Sequence, residues 1–355
     1  MSTIKTAVRP TELLNLADIL APVQDDLAAV QEEIRRQLVP TAGLVHHLLA
    51  GSQTRQTESL LTRVSRHLSN GQGKGLRPAL VMLSSRLGRP VSRETLVALA
   101  ASIELMHYAT LVHDDIIDEA PLRRNQHSIN AVWGNEISVI AGDYLYARAF
   151  ALAAGSLRTS EMQALARVAE TLCRGELAEI EHRFDTDLTE ETYLKIIEEK
   201  TAILLSACCE LGAVVADAAP EAARRMAEFG TAFGLAFQIA DDCLDLIGDE
   251  ASLGKPIGTD VMQGSLSLPL IYLGQSYTPT ARRELFEPCF SSHGAHRAAT
   301  ARLVRLAKET GAIDRAYETA HAWAQRAQRA IEPLNGFPFK THYWSLAEYA
   351  VERQA

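Results

Sequence analysis

Apolar residues recur along this chain at helical spacing almost from end to end, and no convincing run alternates apolar and polar residues between hairpin turns. The pattern predicts an all-α protein. Glycine, proline and asparagine fall between the periodic stretches, at Gly71-Gln72-Gly73-Lys74-Gly75, Gly88-Arg89-Pro90, Gly134-Asn135, Ala219-Pro220, Gly254-Lys255-Pro256-Ile257-Gly258 and Asn335-Gly336-Phe337-Pro338. Thr189, followed by Glu190 and Glu191, reads as a helix N-cap. From Glu94 to Asp118 the pattern predicts one helix of roughly 37 Å, at 1.5 Å per residue. Its apolar residues (Leu96, Val97, Leu99, Ile103, Leu105, Met106, Leu111) lie all round it, as expected of a helix packed on every side. The expected architecture is a single-domain antiparallel helical bundle around a deep central cavity. Residues 26–355 form that domain, and residues 1–25 are expected to be loosely ordered.

Composition narrows the class. At 355 residues, 47% hydrophobic and 22% charged, the chain has ample material for a core. A net charge of -9 argues against nucleic acid as a partner, so phosphate binding has to be local. The five cysteines (Cys173, Cys208, Cys209, Cys243, Cys289) lack metal-ligand spacing and suit thiols in a reducing cytoplasm, with Cys208 and Cys209 as core residues. Met1 to Ala7 shows no apolar leader pattern. Thr95 to Val112 approaches the length of a membrane span but contains Glu104 and His107, so it is expected to be a buried helix without stable membrane insertion.

The candidate chemistry sits at the ends of two apolar stretches. Asp114-Asp115-Ile116-Ile117-Asp118 and Asp241-Asp242-Cys243-Leu244-Asp245 share one spacing. On a helix it sets Asp114 beside Asp118 and Asp241 beside Asp245. One such triplet is most simply a solvated helix end. Two, each following a long apolar segment, point to carboxylates gathered around cations at the rim of an apolar interior. Oxygen-only ligands select magnesium, calcium or manganese, and magnesium completes its shell with water and phosphate oxygens, so the expected substrate is a phosphate ester. Basic residues suited to phosphate lie nearby in sequence: Arg123-Arg124, Lys74 and Arg77 in a glycine-rich turn before Pro78, Lys200-Thr201 and Lys255. Gln238 falls one turn before Asp241 and Asp242.

Taken together these motifs resemble the trans-isoprenyl diphosphate synthases, and more specifically the medium- to long-chain polyprenyl diphosphate synthases. The marks are Gly73-Lys74-Gly75-Leu76-Arg77-Pro78, Glu104-Leu105-Met106-His107, His113 with the first triplet, Arg123-Arg124, Gly142-Asp143-Tyr144, Lys200-Thr201, Phe237-Gln238, and the second triplet followed by Gly254-Lys255. The resemblance implies a homodimer that joins isopentenyl diphosphate head-to-tail to an allylic diphosphate. It also implies that Asp114 and Asp118 hold two magnesium ions and Asp241 a third, with manganese as a substitute. Asp115, Asp242, Asp245 and Lys200 complete the catalytic set. Arg123, Lys200, Thr201, Gln238 and Lys255 are expected on the allylic diphosphate with Phe237 beside them, and Lys74, Arg77, His107 and Arg124 on isopentenyl diphosphate. Thr110 and Ala109, four and five positions before Asp114, are small, which implies a product longer than C20; Tyr108 and Phe150 are candidates for the floor of the cavity.

Two departures stand out. Asn125 takes a turn position where the family carries glycine, and Ser265 stands in Gly264-Ser265-Leu266-Ser267-Leu268-Pro269 where the family carries lysine, which implies weaker allylic binding or slower turnover. Rival readings are a short-chain (C15 or C20) synthase, a class I terpene cyclase, and a noncatalytic partner subunit, which would be expected to have lost its aspartates. A di-iron carboxylate bundle would use Glu104-x-x-His107 and Glu179-x-x-His182 but leaves both triplets without a role.

Overall fold

The computed structural model describes residues 13–38, 59–70, 73–123, 126–247, 258–290 and 295–352. Helices carry almost all of them. In chain order the α-helices are α1 (Leu16–Leu20), α2 (Gln24–Leu38), α3 (Leu60–Asn70), α4 (Leu76–Ser84), α5 (Arg93–Ile117), α6 (Ile129–Trp133), α7 (Asn135–Ala154), α8 (Thr159–Glu181), α9 (Glu190–Ile197), α10 (Ile203–Val215) and α11 (Pro220–Ile247). There follow α12 (Thr259–Met262), α13 (Leu268–Gly274), α14 (Pro279–Phe286), α15 (Ala295–Glu309), α16 (Ala312–Ile331) and α17 (Lys340–Glu352). The described strands are two residues each, β1 (Leu122–Arg123) and β2 (Gln126–His127), paired antiparallel with Leu122 opposite His127 and Arg123 opposite Gln126. Strands this short show no period in sequence, which is why the helical pattern gave no sign of them.

The chain divides into two compact units. One comprises residues 23–82 and 91–163. Its axis is α5, which starts where the Ser92 hydroxyl accepts the Thr95 N–H and ends at Asp118, whose N–H donates to Asp114 O at 2.8 Å. Helices α2 and α7 pack against α5. Leu99, Ile103, Leu105 and Met106 are fully buried, each contributing about 1.5–3 kcal/mol relative to exposure. The carboxylate of Ile103→Asp, placed there without a partner, would break this packing. Gly142 is what admits α7 so close, because a Cβ there would lie 2.1 Å from His113 Nε2. Both α5 and α7 are long and apolar enough to cross a membrane by length and composition, and 78% of the α5 window is buried against 33% of the α7 window.

The other unit comprises residues 1–22, 83–90 and 164–355. Within residues 13–25, Asn15 caps α1 and Leu14 N donates to Ser345 Oγ at 3.0 Å. Helix α11 is the centre of this unit, with α10, α16 and α17 against it. Phe229 stacks on Phe233 at 5.8 Å and meets Tyr343 edge-on at 4.9 Å. Cys208 and Cys209 are buried core residues of α10. Three glycines set the helix spacing here. A Cβ on Gly230 or Gly234 of α11 would lie 2.5 Å from the backbone of Ser206 or Ala202, and one on Gly175 of α8 would lie 2.5 Å from Lys200 N. The segment so approached is a π-helical turn, Glu198–Ala202, between α9 and α10. Such turns widen a helix by one residue and cluster at functional sites.

Candidate functional site

The chemistry-bearing residues form two clusters, one in each unit. In the first, Asp114 and Asp118 are half-buried and share the α5 face that carries His107 and Leu111. Asp115 is buried on the adjacent face. Its Oδ1 accepts from Arg123 Nε at 2.7 Å, and its main-chain carbonyl accepts from Asn130 Nδ2 at 2.9 Å. Burial pushes the Asp115 carboxyl above its ordinary range, while the Arg123 guanidinium pulls it down. The same face carries Tyr108 and Val112, which with His67, Leu111, Arg123, His127 and Ile129 line a cavity of about 70 Å³. Tyr108, proposed from sequence as a floor residue, thus lines a cavity on the Asp115 side of the helix. Ala109 is fully buried, Thr110 is half-buried with its hydroxyl on His107 O at 2.8 Å, and Phe150 is half-buried on α7. Lys74 is exposed and Arg77 half-buried at the start of α4, next to Gly75 at φ 71°. Arg124 and Asn125 lie outside the described residues.

In the second cluster the expected common face for Asp241 and Asp245 is not what forms. Asp241 is half-buried, but Asp245 is 3% exposed because the returning chain lies over it, with Gly258 N donating to Asp245 O at 3.0 Å. Asp242 is also buried, accepting from Tyr193 Oη at 2.6 Å and from Gln238 Nε2 at 2.8 Å. Burial and nearby Asp260 push its carboxyl well above the usual range, against the pull of those two donors. Thr201 Oγ1 donates to Gln238 Oε1 at 3.0 Å. Lys200, on the π-turn, is held by Glu176 at 2.9 Å and by Glu179. Ser265 Oγ donates to Glu179 Oε1 at 3.4 Å. Phe237 is half-buried, its ring 6.0 Å from that of Phe233. Lys255 lies outside the described residues.

Each triplet therefore divides: Asp114, Asp118 and Asp241 keep partial access to solvent, while Asp115, Asp242 and Asp245 are buried. Among the described residues no three His, Cys, Asp or Glu side chains converge closely enough to hold a metal unaided. That suits magnesium, which takes one or two carboxylates and draws the remaining oxygens from water and phosphate. The Glu179-x-x-His182 pair is engaged elsewhere, Glu179 with Lys200 and His182 Nδ1 with Asp185 at 3.2 Å. Sequence reasoning passed over Tyr193, Glu176 and Gly175. The one signal of the lysine anchor was the run Gly175-Glu176-Leu177-Ala178-Glu179, whose two carboxylates stand one turn apart.

Comparison with known proteins decides the family. The polyprenyl synthetase family model matches residues 58–306. The chain belongs to the polyprenyl synthetase family. A heptaprenyl diphosphate synthase component 2 from Geobacillus stearothermophilus is 35% identical over 88% of this chain and 91% of its own. The octaprenyl diphosphate synthase of Escherichia coli (strain K12) is 30% identical over 96% and 99%. A crystal structure of a Caulobacter crescentus polyprenyl synthase, complexed with calcium and isoprenyl diphosphate, superposes with a TM-score of 0.85 at 30% identity, covering 98% of this chain and all of that one. The polyprenyl synthetase assignment agrees with the all-α isoprenoid synthase fold and with the motifs that first suggested it.

Proposed function

We propose that this chain is a trans-polyprenyl diphosphate synthase that condenses isopentenyl diphosphate with an allylic diphosphate, farnesyl or geranylgeranyl, to give an all-trans product longer than C20. The observation that carries the reading is the division of both triplets, in which three partly exposed carboxylates stand beside buried ones already engaged by Arg123 or by Tyr193 and Gln238. Asp114, Asp118 and Asp241 would hold up to three magnesium ions, whose charge would stabilise the departing diphosphate. Arg123, Lys200, Thr201, Gln238 and Lys255 bind and orient the allylic diphosphate, and Lys74, Arg77, His107 and Arg124 bind isopentenyl diphosphate. Phe237 and the apolar residues near it keep water from the allylic cation until the double bond of isopentenyl diphosphate reaches it. The new carbon–carbon bond forms as the allylic carbon–oxygen bond breaks, and the proton then lost passes to the released diphosphate.

Small residues at Ala109 and Thr110, and relatives named for heptaprenyl and octaprenyl products, favour a long chain over a C15 or C20 product. Incubation with labelled isopentenyl diphosphate and C5, C10, C15 and C20 starters, with and without EDTA, tests this. Products beyond C20 that vanish with EDTA are expected, and manganese should restore them. Arrest at C20 refutes the long-chain reading, and EDTA-insensitive turnover refutes the metal.

The assembly we infer is a cytoplasmic homodimer. Helix α7 is apolar yet only one third buried, with Val139 and Ile140 exposed at 43% and 66%. A second copy laid against it would remove that surface from water. Sedimentation should give twice the 38.8 kDa chain mass. A monomer that elongates fully would refute the dimer, and activity only with a second, different chain would replace it with a two-component enzyme.

A further inference from the structure

Four side chains on three elements of one unit form an unbroken hydrogen-bonded line. Tyr193 of α9 donates to Asp242 Oδ2, Asp242 Oδ1 accepts from Gln238 Nε2, and Gln238 Oε1 accepts from Thr201 Oγ1 on the π-turn. Tyr193 and Asp242 are buried, at 4% and 7% exposure, so water does not compete for these bonds. A glutamine amide can adopt either of two orientations, and here both ends are specified. A carboxylate accepts at the nitrogen end and a hydroxyl donates at the oxygen end. One N–H of Gln238 is thereby committed to Asp242 and the second remains for a phosphate oxygen. Asp242 imposes this order only while its own position is fixed, and Tyr193 is the donor that fixes it from the far side. In the other unit Asp115 has a similar relation to Arg123: a buried middle aspartate holds a side chain assigned to phosphate.

We propose that Tyr193 is a positioning residue of the diphosphate site, acting through Asp242 to hold the Gln238 amide and the Thr201 hydroxyl in the orientation that receives the allylic diphosphate. The proposal rests on the functional reading above. A hydrogen bond to a charged buried group contributes about 1.5–3 kcal/mol, so loss of the phenol hydroxyl should weaken diphosphate binding by about tenfold or more.

The test uses full-length wild type, Tyr193→Phe, Asp242→Asn and the double variant. Calorimetric titration with inorganic pyrophosphate in the presence of magnesium is set beside steady-state constants for each substrate. The expected result is pyrophosphate affinity about tenfold lower in Tyr193→Phe, with the allylic KM raised alike and the isopentenyl diphosphate KM within about twofold of wild type. Adding Tyr193→Phe to Asp242→Asn should cause no further loss. Urea unfolding of each variant checks the fold, since a merely structural role would lower the midpoint and move both KM values together. Additive losses, or a Tyr193→Phe variant that binds magnesium pyrophosphate as wild type does, overturn the positioning role. A wild-type protein that binds no magnesium pyrophosphate overturns instead the reading of the site on which it rests.

Discussion

Gly234→Ala separates the packing of the site from its chemistry. The added Cβ would meet Ala202 Cα at 2.5 Å and Ala202 Cβ at 2.7 Å, whereas unstrained carbon contacts lie near 3.5–4.0 Å. Helix α11 and the π-turn must therefore part by about 1 Å. Alanine in a helix interior returns about 0.5–1 kcal/mol relative to glycine, and overpacking costs about 1–3 kcal/mol. Net destabilisation of about 0.5–2 kcal/mol is expected, read as a lower urea midpoint at unchanged slope. The displacement falls on the residue next to Thr201, whose hydroxyl bonds Gln238 one turn beyond Gly234. Because a shift of about 1 Å in a positioning group can cost as much as 100-fold, we expect the allylic KM to rise by about tenfold, with isopentenyl diphosphate much less affected. Gly230→Ala is the control. It meets Ser206 Cα at the same 2.5 Å and should lose similar stability with little change in KM. The reasoning is refuted if Gly234→Ala matches or exceeds wild-type stability and keeps its allylic constants.

Ser265→Lys places an ammonium beside Glu179, which already holds Lys200; allylic KM should fall several-fold at constant isopentenyl diphosphate KM, and unchanged constants would show the position to be silent. Burial raises the folded-state carboxyls of Asp115 and Asp242 above their unfolded values, so the native chain holds these protons to higher pH than the unfolded one. Their contribution is present below the ordinary carboxylate value near 3.9 and is lost as pH rises through the folded values. In EDTA, Asp242→Asn should therefore lose less stability than wild type as pH is raised, measured by urea midpoints, and parallel curves would refute this.

The elements legible in the sequence are those written in local spacing. The α5 helix appears within one residue of its expected start and end, Thr189 caps α9 by accepting Thr192 N–H at 3.2 Å, and Gly142 of the Gly142-Asp143-Tyr144 motif proves to be the contact point for His113. Asp245 was misread because an i, i+4 rule describes the helix surface alone and takes no account of the chain that returns over it at Gly258. Tyr193 and Asp242 are 49 positions apart, and nothing in either neighbourhood announces the bond. The Lys200 anchor was hidden for the same reason, since Glu176 and Glu179 lie on a separate helix. The π-turn leaves no periodic trace because one extra residue is shorter than the window over which a period is recognised.

That extra residue acts as a phase shifter. An α-helix advances about 100° per residue, so deleting any one position between Glu198 and Ala202 would let α9 and α10 fuse into one regular rod and wheel everything on one side of the cut by about that angle. Either the hydroxyl of Thr201 would swing off the amide it meets, or the apolar face of α10 would rotate out of the core. A frame-preserving deletion of three nucleotides in this stretch is thus a harsher lesion than most substitutions within the triplets themselves, although it would remove no charge that binds metal when Glu198 or Ala202 is the residue lost.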